Sequence, residues 1–174
     1  MLRSRSITIA AALAAISGGA AIGAVSSAGA ATAHPASSAV LKVASVSVSS
    51  GTSSKSHRVL VNSSGMPVYM LTGDSKSHPK CTSSQCLSAW PAVTTKAKKP
   101  ALGKGVSGKV GVWRHNHINQ VTLNGHPLYT YAADSAGSAS GEGLKSFGGT
   151  WWLLTAHGSE MANSSSSGGG GGGW

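Results

Sequence analysis

An all-β domain built by internal duplication is what this sequence predicts, and three observations carry the expectation. A ten-residue segment occurs twice, sixty positions apart: Gly65-Met66-Pro67-Val68-Tyr69-Met70-Leu71-Thr72-Gly73-Asp74 and Gly125-His126-Pro127-Leu128-Tyr129-Thr130-Tyr131-Ala132-Ala133-Asp134. Both copies read G-x-P-[VL]-Y-x-[LY]-x-x-D, and each precedes a tryptophan at nearly the same distance, Trp90 and Trp151. Ungapped agreement of this kind marks a duplicated unit. Around the copies, short runs of β-branched and aromatic residues alternate with polar ones, the period of a strand with one buried face. Gly, Ser, Asn and Pro clusters separate those runs, as hairpin turns require. About seven short strands in two hairpin units predict a small sandwich or a partly closed barrel, because neither unit could bury its apolar face alone.

The N-terminus reads as an export signal. Arg3 and Arg5 supply the positive start, Ile7 to Val25 is rich in Ala, Ile and Gly, and Ala31-Thr32-Ala33 forms an A-x-A cleavage site, with Ala28-Gly29-Ala30 as a second candidate. The expected division is a signal peptide over 1–33, a spacer and first strand over 34–56, repeat 1 over 57–93, a basic linker loop over 94–108, repeat 2 over 109–158, and a disordered Ser/Gly-rich tail over 159–174. Arg3 and Arg5 are separated by Ser4, which does not support a twin-arginine signal, and no cysteine precedes Cys81 to take an N-terminal lipid. The product is expected to be free and exported, extracellular or cell-wall associated.

Leu41-Lys42-Val43 and Val46-Ser47-Val48 alternate as a strand, and Ser49 to Ser56 has the composition of a flexible loop. Val59-Leu60-Val61, the turn Asn62 to Gly65, and Pro67 to Leu71 predict a hairpin. In its second arm Tyr69 and Leu71 share one face and Val68 and Met70 the other, so that arm should be covered on both sides. Asp74 follows, as Asp134 follows the second copy. A carboxylate there could be a ligand or an acid, but its recurrence just after a strand favours an Asx-type turn bonding N–H groups two or three residues on.

Cys81 and Cys86 are the only cysteines. In an exported chain a lone pair reads first as a disulfide. Five extended steps would span about 17 Å, whereas bridged Cα atoms sit about 4.4–6.8 Å apart, so the segment must fold back. The C-x4-C spacing is not that of a thiol oxidoreductase, and a metal would need further ligands. Trp90 reads as a core residue, extended ahead of Pro91. In repeat 2, Val110 to Trp113 and Gln120 to Leu123 form a hairpin joined through Arg114 to Asn119, with His115 and His117 as solvated turn histidines. Asn124-Gly125 is a strong hairpin turn leading into Pro127 to Asp134. Phe147 to Leu154 is apolar on both faces and should be an interior strand. Tyr69 and Tyr129 are expected to be equivalent core anchors, each packed near its own tryptophan.

Removing residues 1–33 leaves twelve Lys and Arg against four Asp and Glu, a formal net charge of +8. Outside a cell this suggests anionic neighbours, wall polymers or lipid headgroups. The densest cluster, Lys96, Lys98 and Lys99, has no interleaved aromatics, which disfavours nucleic acid. No G-x-S-x-G or H-E-x-x-H is present, and four acids leave few candidates for a hydrolase. An alternative is a metal- or haem-handling protein drawing on some of His57, His78, His115, His117, His126 and His157, with Cys81 and Cys86 as thiols. It requires at least three such groups to converge.

The paired Tyr69…Asp74 and Tyr129…Asp134, the Cys81…Cys86…Trp90-Pro91 run, and Gln120-Val121-Thr122 leading into Gly125 to Tyr129 together resemble a bacterial secreted-repeat family. Its members are often described as lipoproteins with a Y-x4-D motif. Many carry a lipid-attachment cysteine after the signal, which this chain lacks. The resemblance covers about Leu41 to Gly158 and implies an exported envelope protein without implying a reaction. Gly65, Pro67, Tyr69, Asp74, Trp90, Gly125, Pro127, Tyr129, Asp134 and Trp151 therefore carry over as structural motif residues. The reading is a non-catalytic binding or structural module with no cofactor.

Overall fold

The structure, a computed structural model, describes residues 39–161. The expected signal peptide, the start of the spacer and most of the Ser/Gly tail lie outside the described residues. Nine strands and one short helix occur among the described residues: β1 (Leu41–Ser50), β2 (Ser53–Asn62), β3 (Tyr69–Leu71), α1 (Ser84–Ala89), β4 (Val110–His115), β5 (Ile118–Leu123), β6 (His126–Pro127), β7 (Ser138–Ala139), β8 (Lys145–Ser146) and β9 (Gly149–Leu153). They form three sheets of three strands, β2-β1-β7, β3-β9-β8 and β4-β5-β6, none closed into a barrel. The all-β class is as expected, and the strands beyond seven include two-residue pieces between Asp134 and Trp151.

The long β1–β2 hairpin corrects the flexible loop expected over Ser49 to Ser56. Its register runs unbroken from Leu41↔Asn62 to Ser50↔Ser53, turning at Gly51, whose φ is +59°. Serines do not block strand pairing, because the ladder is made by the backbone. The buried Val46 and Val48 fix which face turns inward. The first repeat's hairpin is as expected: the Asn62 Oδ1 accepts from the N–H groups of Ser64 and Met66, Gly65 sits at φ +82°, and Val61 bridges Pro67.

The second hairpin is tighter than expected. β4 and β5 run to His115↔Ile118, leaving a two-residue turn, Asn116-His117, with φ of +43° and +60°. Such a turn normally announces itself with glycine, and here Asn and His take the left-handed conformation instead. Asn124-Gly125, at φ +52° and +91°, turns β5 into β6.

β1 lies on β2 as β4 lies on β5, and the end of each repeat crosses to the other. The Leu60 N–H donates to the Leu154 carbonyl (2.8 Å) and the Leu154 N–H to the Val68 carbonyl (3.3 Å), so repeat 2 completes the hairpin of repeat 1. Reciprocally, Val121 donates to Val93 (2.7 Å) and Val93 to Leu128 (2.9 Å). Where the halves meet, Tyr69 and Tyr129 exchange both backbone hydrogen bonds, at 2.8 and 3.0 Å. The relation is a pseudo-two-fold one.

Strand alternation sorts the apolar side chains onto two sides of these central strands. Val59, Val61, Tyr69, Leu71, Trp90, Tyr129, Trp151 and Leu153 belong to one cluster, and Leu60, Val68, Met70, Val93, Val121, Leu128 and Leu154 to the other. The alternation expected for Val68 to Leu71 is therefore present, with both faces buried. β9 lies between β3 and β8, the interior position its double-faced apolarity implies.

Candidate functional site

The repeated tyrosines and aspartates meet across the repeats rather than within them. The Tyr69 hydroxyl donates to the Asp134 Oδ2 at 2.6 Å, and the Tyr129 hydroxyl donates to the Asp74 Oδ2 at 2.8 Å. Each carboxylate spends its other oxygen on the backbone six residues ahead: the Asp74 Oδ1 accepts from the Lys80 N–H, and the Asp134 Oδ1 from the Ser140 N–H and hydroxyl. The aspartates do brace loops, but over six residues rather than the two or three of an Asx turn. The Gly141 N–H donates in turn to the Tyr69 hydroxyl oxygen (3.2 Å).

The tryptophans lie beside this pair. Trp90 and Trp151 stack with ring centroids 3.9 Å apart and planes 5° from parallel. Each meets its own repeat's tyrosine edge-on, Tyr69–Trp90 at 5.3 Å and Tyr129–Trp151 at 5.2 Å. The expected packing of each tyrosine near its own tryptophan is thus observed. Burial first, and then the hydrogen-bonded carboxylate, raises the pKa of both phenols. They stay protonated and donate. Gly65, Pro67, Gly125 and Pro127 shape the hairpins that bring these groups together: Pro67 bridges Val61 and Pro127 pairs with Thr122.

Between aspartate and tryptophan the two copies diverge. In repeat 1 Cys81 and Cys86 form a disulfide with Cα atoms 5.5 Å apart. The fold-back that this spacing demanded is the start of α1, capped by Ser83, whose hydroxyl accepts from the Cys86 N–H. Sixty positions on stand Gly141 and Ser146, and the Ser146 hydroxyl accepts from the Trp151 indole N–H (2.9 Å).

Beside Gly141 lies Glu142, an acid that no motif or spacing in the sequence singles out. Its Oε2 accepts from the Leu153 N–H at 2.6 Å. Burial, with a lesser push from Glu160, raises its pKa to about 7, against the lowering effect of that hydrogen bond. It opens onto a groove of about 410 Å³ shared with Val48, Lys55, His57 and Met161. Gln120, read from the sequence only as the start of a strand and part of the family pattern, is fully buried, donates to the Leu128 carbonyl and bonds His115 at 2.7 Å. His115 is accordingly no solvated turn residue. It ends β4 half-buried and stacks on Trp113 at 3.7 Å, whereas His117 is exposed in the turn.

The remaining histidines are dispersed. His78 bonds Ser77, His126 bonds the Asp74 carbonyl, and His157 bonds Ser107. Among the described residues no three His, Cys, Asp or Glu side chains gather as a metal would need, and no helix is long and apolar enough to cross a membrane.

Charge is sorted by depth. All twelve Lys and Arg among the described residues are exposed, while none of the four acids is: Asp74 is buried, and Asp134, Glu142 and Glu160 are half-buried. Asp74, Asp134 and Glu142 face inward onto the hydrogen bonds above.

No curated protein and no solved structure matches the chain. Residues 118–155, running from β5 to just past β9, match the model of a family described as a secreted repeat of unknown function, the family that the doubled motif resembles.

Proposed function

We propose that the protein is a non-catalytic module of the cell exterior that binds anionic cell-wall polymers through its basic surface. The observation that carries this reading is the sorting of charge by depth. A surface that only needs solubility mixes both signs. Here all twelve Lys and Arg among the described residues are exposed, with the Lys80 ammonium donating to the Thr72 and Gly148 carbonyls, and Asp74, Asp134 and Glu142 turn inward. A one-signed surface draws in polyanions over distances of about a Debye length. The doubled motif supports the same reading, because its phenols and carboxylates are spent on one another and serve to hold two halves together.

Lipid headgroups carry the same charge, but membrane-surface binding usually adds apolar side chains for insertion. Leu144 is the single exposed large hydrophobic residue among those described, which favours a polymer. The test is co-sedimentation with purified cell walls before and after their anionic polymers are stripped, at low and high salt. The proposal expects retention that salt releases and stripping abolishes. Retention indifferent to both, or no retention, would overturn it.

A further inference from the structure

Lys55 lines the groove beside Glu142, and two other exposed lysines line a second groove of about 300 Å³ where the repeats meet. Lys76 comes from the loop after Asp74 in repeat 1. Lys109, Val110, Gly111, Thr122, Asn124 and Gly125 come from the β4–β5 hairpin and its following turn in repeat 2. We propose that this groove is a subsite for a phosphate-type oxyanion, the phosphodiester of an anionic polymer. The inference rests on the polymer-binding reading and assigns it a place.

Three features support the assignment. First, the lining residues include two lysines, a threonine and an asparagine, and no acid. The acid nearest in sequence, Asp74, is buried and occupied on both oxygens by Lys80 and Tyr129. The larger groove beside Glu142 differs in this respect, because an ionised carboxylate there would repel an anion. Second, both walls are held. The Asp74 loop is tied back by the Lys80 N–H and by His126, bonded to the Asp74 carbonyl at 3.1 Å. Lys109 is clamped at its backbone, its N–H donating to the Asn124 Oδ1 and its carbonyl accepting from the Asn124 N–H. Two lysines on fixed supports lose less freedom on binding than lysines on a loop such as 94–108. Third, glycine leaves the backbone open at one point: at Gly125 nothing lies within 4 Å of where a side chain would begin, whereas at Gly111 that space is filled by the Thr122 hydroxyl, 3.0 Å away. A tetrahedral oxyanion can therefore approach the backbone at Gly125, beside the Thr122 side chain.

The test titrates inorganic phosphate into isotopically labelled exported protein and follows backbone amide resonances. Saturable shifts confined to Lys76, Lys109, Gly111, Thr122 and Gly125 are expected. Lys76→Ser and Lys109→Ser should each weaken binding about tenfold, the loss of one charge-assisted contact, while Lys98→Ser in the linker loop leaves it unchanged. All three sites are exposed, so the variants should keep the wild-type amide spectrum elsewhere. Shifts that never saturate, that spread evenly over all lysine-bearing segments, or that persist unweakened in Lys76→Ser/Lys109→Ser would overturn the inference. The same double variant then separates the two readings. Wall binding at wild-type strength in that variant removes the groove and leaves the surface reading standing, whereas loss of wall binding in the wild type removes the surface reading. Glycerol-phosphate polymer and phosphatidylglycerol vesicles distinguish the sources: whichever competes with phosphate at these amides supplies the phosphodiester, and competition by neither overturns the assignment.

Discussion

Between Asp74 and Trp90 the first repeat carries a disulfide-closed helix, whereas between Asp134 and Trp151 the second carries a Ser/Gly run with two short strands and Glu142. On either side of these inserts the repeats are nearly superimposable in their bonding: tyrosine to the other repeat's aspartate, aspartate to the sixth residue ahead, tryptophan against its own tyrosine. The comparison separates what the duplication must keep from what it leaves open. The frame needs a phenol, a carboxylate and an indole at fixed spacing, because each half finishes the other's sheet and neutralises the other's buried polar group. The inserts reach the other repeat through contacts that the two copies do not share, the Gly141 N–H on the Tyr69 hydroxyl and the Lys80 ammonium on the Gly148 carbonyl, and can diverge, as loops on a rigid scaffold do.

Truncating the shared frame should have the largest effect and strike both repeats alike. Trp90→Ala and Trp151→Ala should each cost about 3–5 kcal/mol, read by chemical denaturation. A large loss in one with little in the other would break the symmetry. Gly141→Ala comes next. A Cβ there would lie 2.8 Å from the Trp90 ring and 3.0 Å from the Tyr69 ring, within a stack that has little room to yield. About 1–3 kcal/mol should be lost to overpacking, although the matching position in repeat 1 accommodates Cys81. Removing the disulfide by Cys81→Ala/Cys86→Ala tests an insert rather than the frame. Closing so short a loop contributes about 2 kcal/mol, so the urea midpoint should fall while the tryptophan stack, followed by near-ultraviolet circular dichroism, survives.

The smallest effect belongs to the other insert. The Glu142 pKa is raised from 4.5 to about 7 in the folded chain. Between those values the folded protein holds a proton that the unfolded chain has released, so this group makes stability fall as pH rises through that window. Glu142→Gln should flatten that part of the dependence of melting temperature on pH. An unchanged slope in the variant would show that the carboxyl titrates normally.

Much of the frame was legible in the residues. The alternation of Val68 to Leu71 named both buried faces, Asn124-Gly125 named its turn, and an exported cysteine pair named its fold-back. Which aspartate each tyrosine binds was not legible, because a repeated Y-x4-D is equally compatible with a partner in its own copy or in the other. The β1–β2 hairpin was hidden by its serines, whose composition reads as loop although the backbone ladder is indifferent to them. The Asn116-His117 turn carries no glycine to mark it. Glu142 and the groove holding Lys76 and Lys109 arise only when segments far apart in sequence are brought together.

The central claim is that the two halves are joined by exchanged tyrosine–aspartate bonds, and double-mutant cycles on the four motif residues test it most directly. Tyr69→Phe with Asp134→Asn, and Tyr129→Phe with Asp74→Asn, should show coupling energies of about 1–3 kcal/mol in chemical denaturation. Tyr69→Phe with Asp74→Asn, within one repeat, should be additive to within about 0.5 kcal/mol. Coupling within each repeat, with additivity across them, would contradict the exchange.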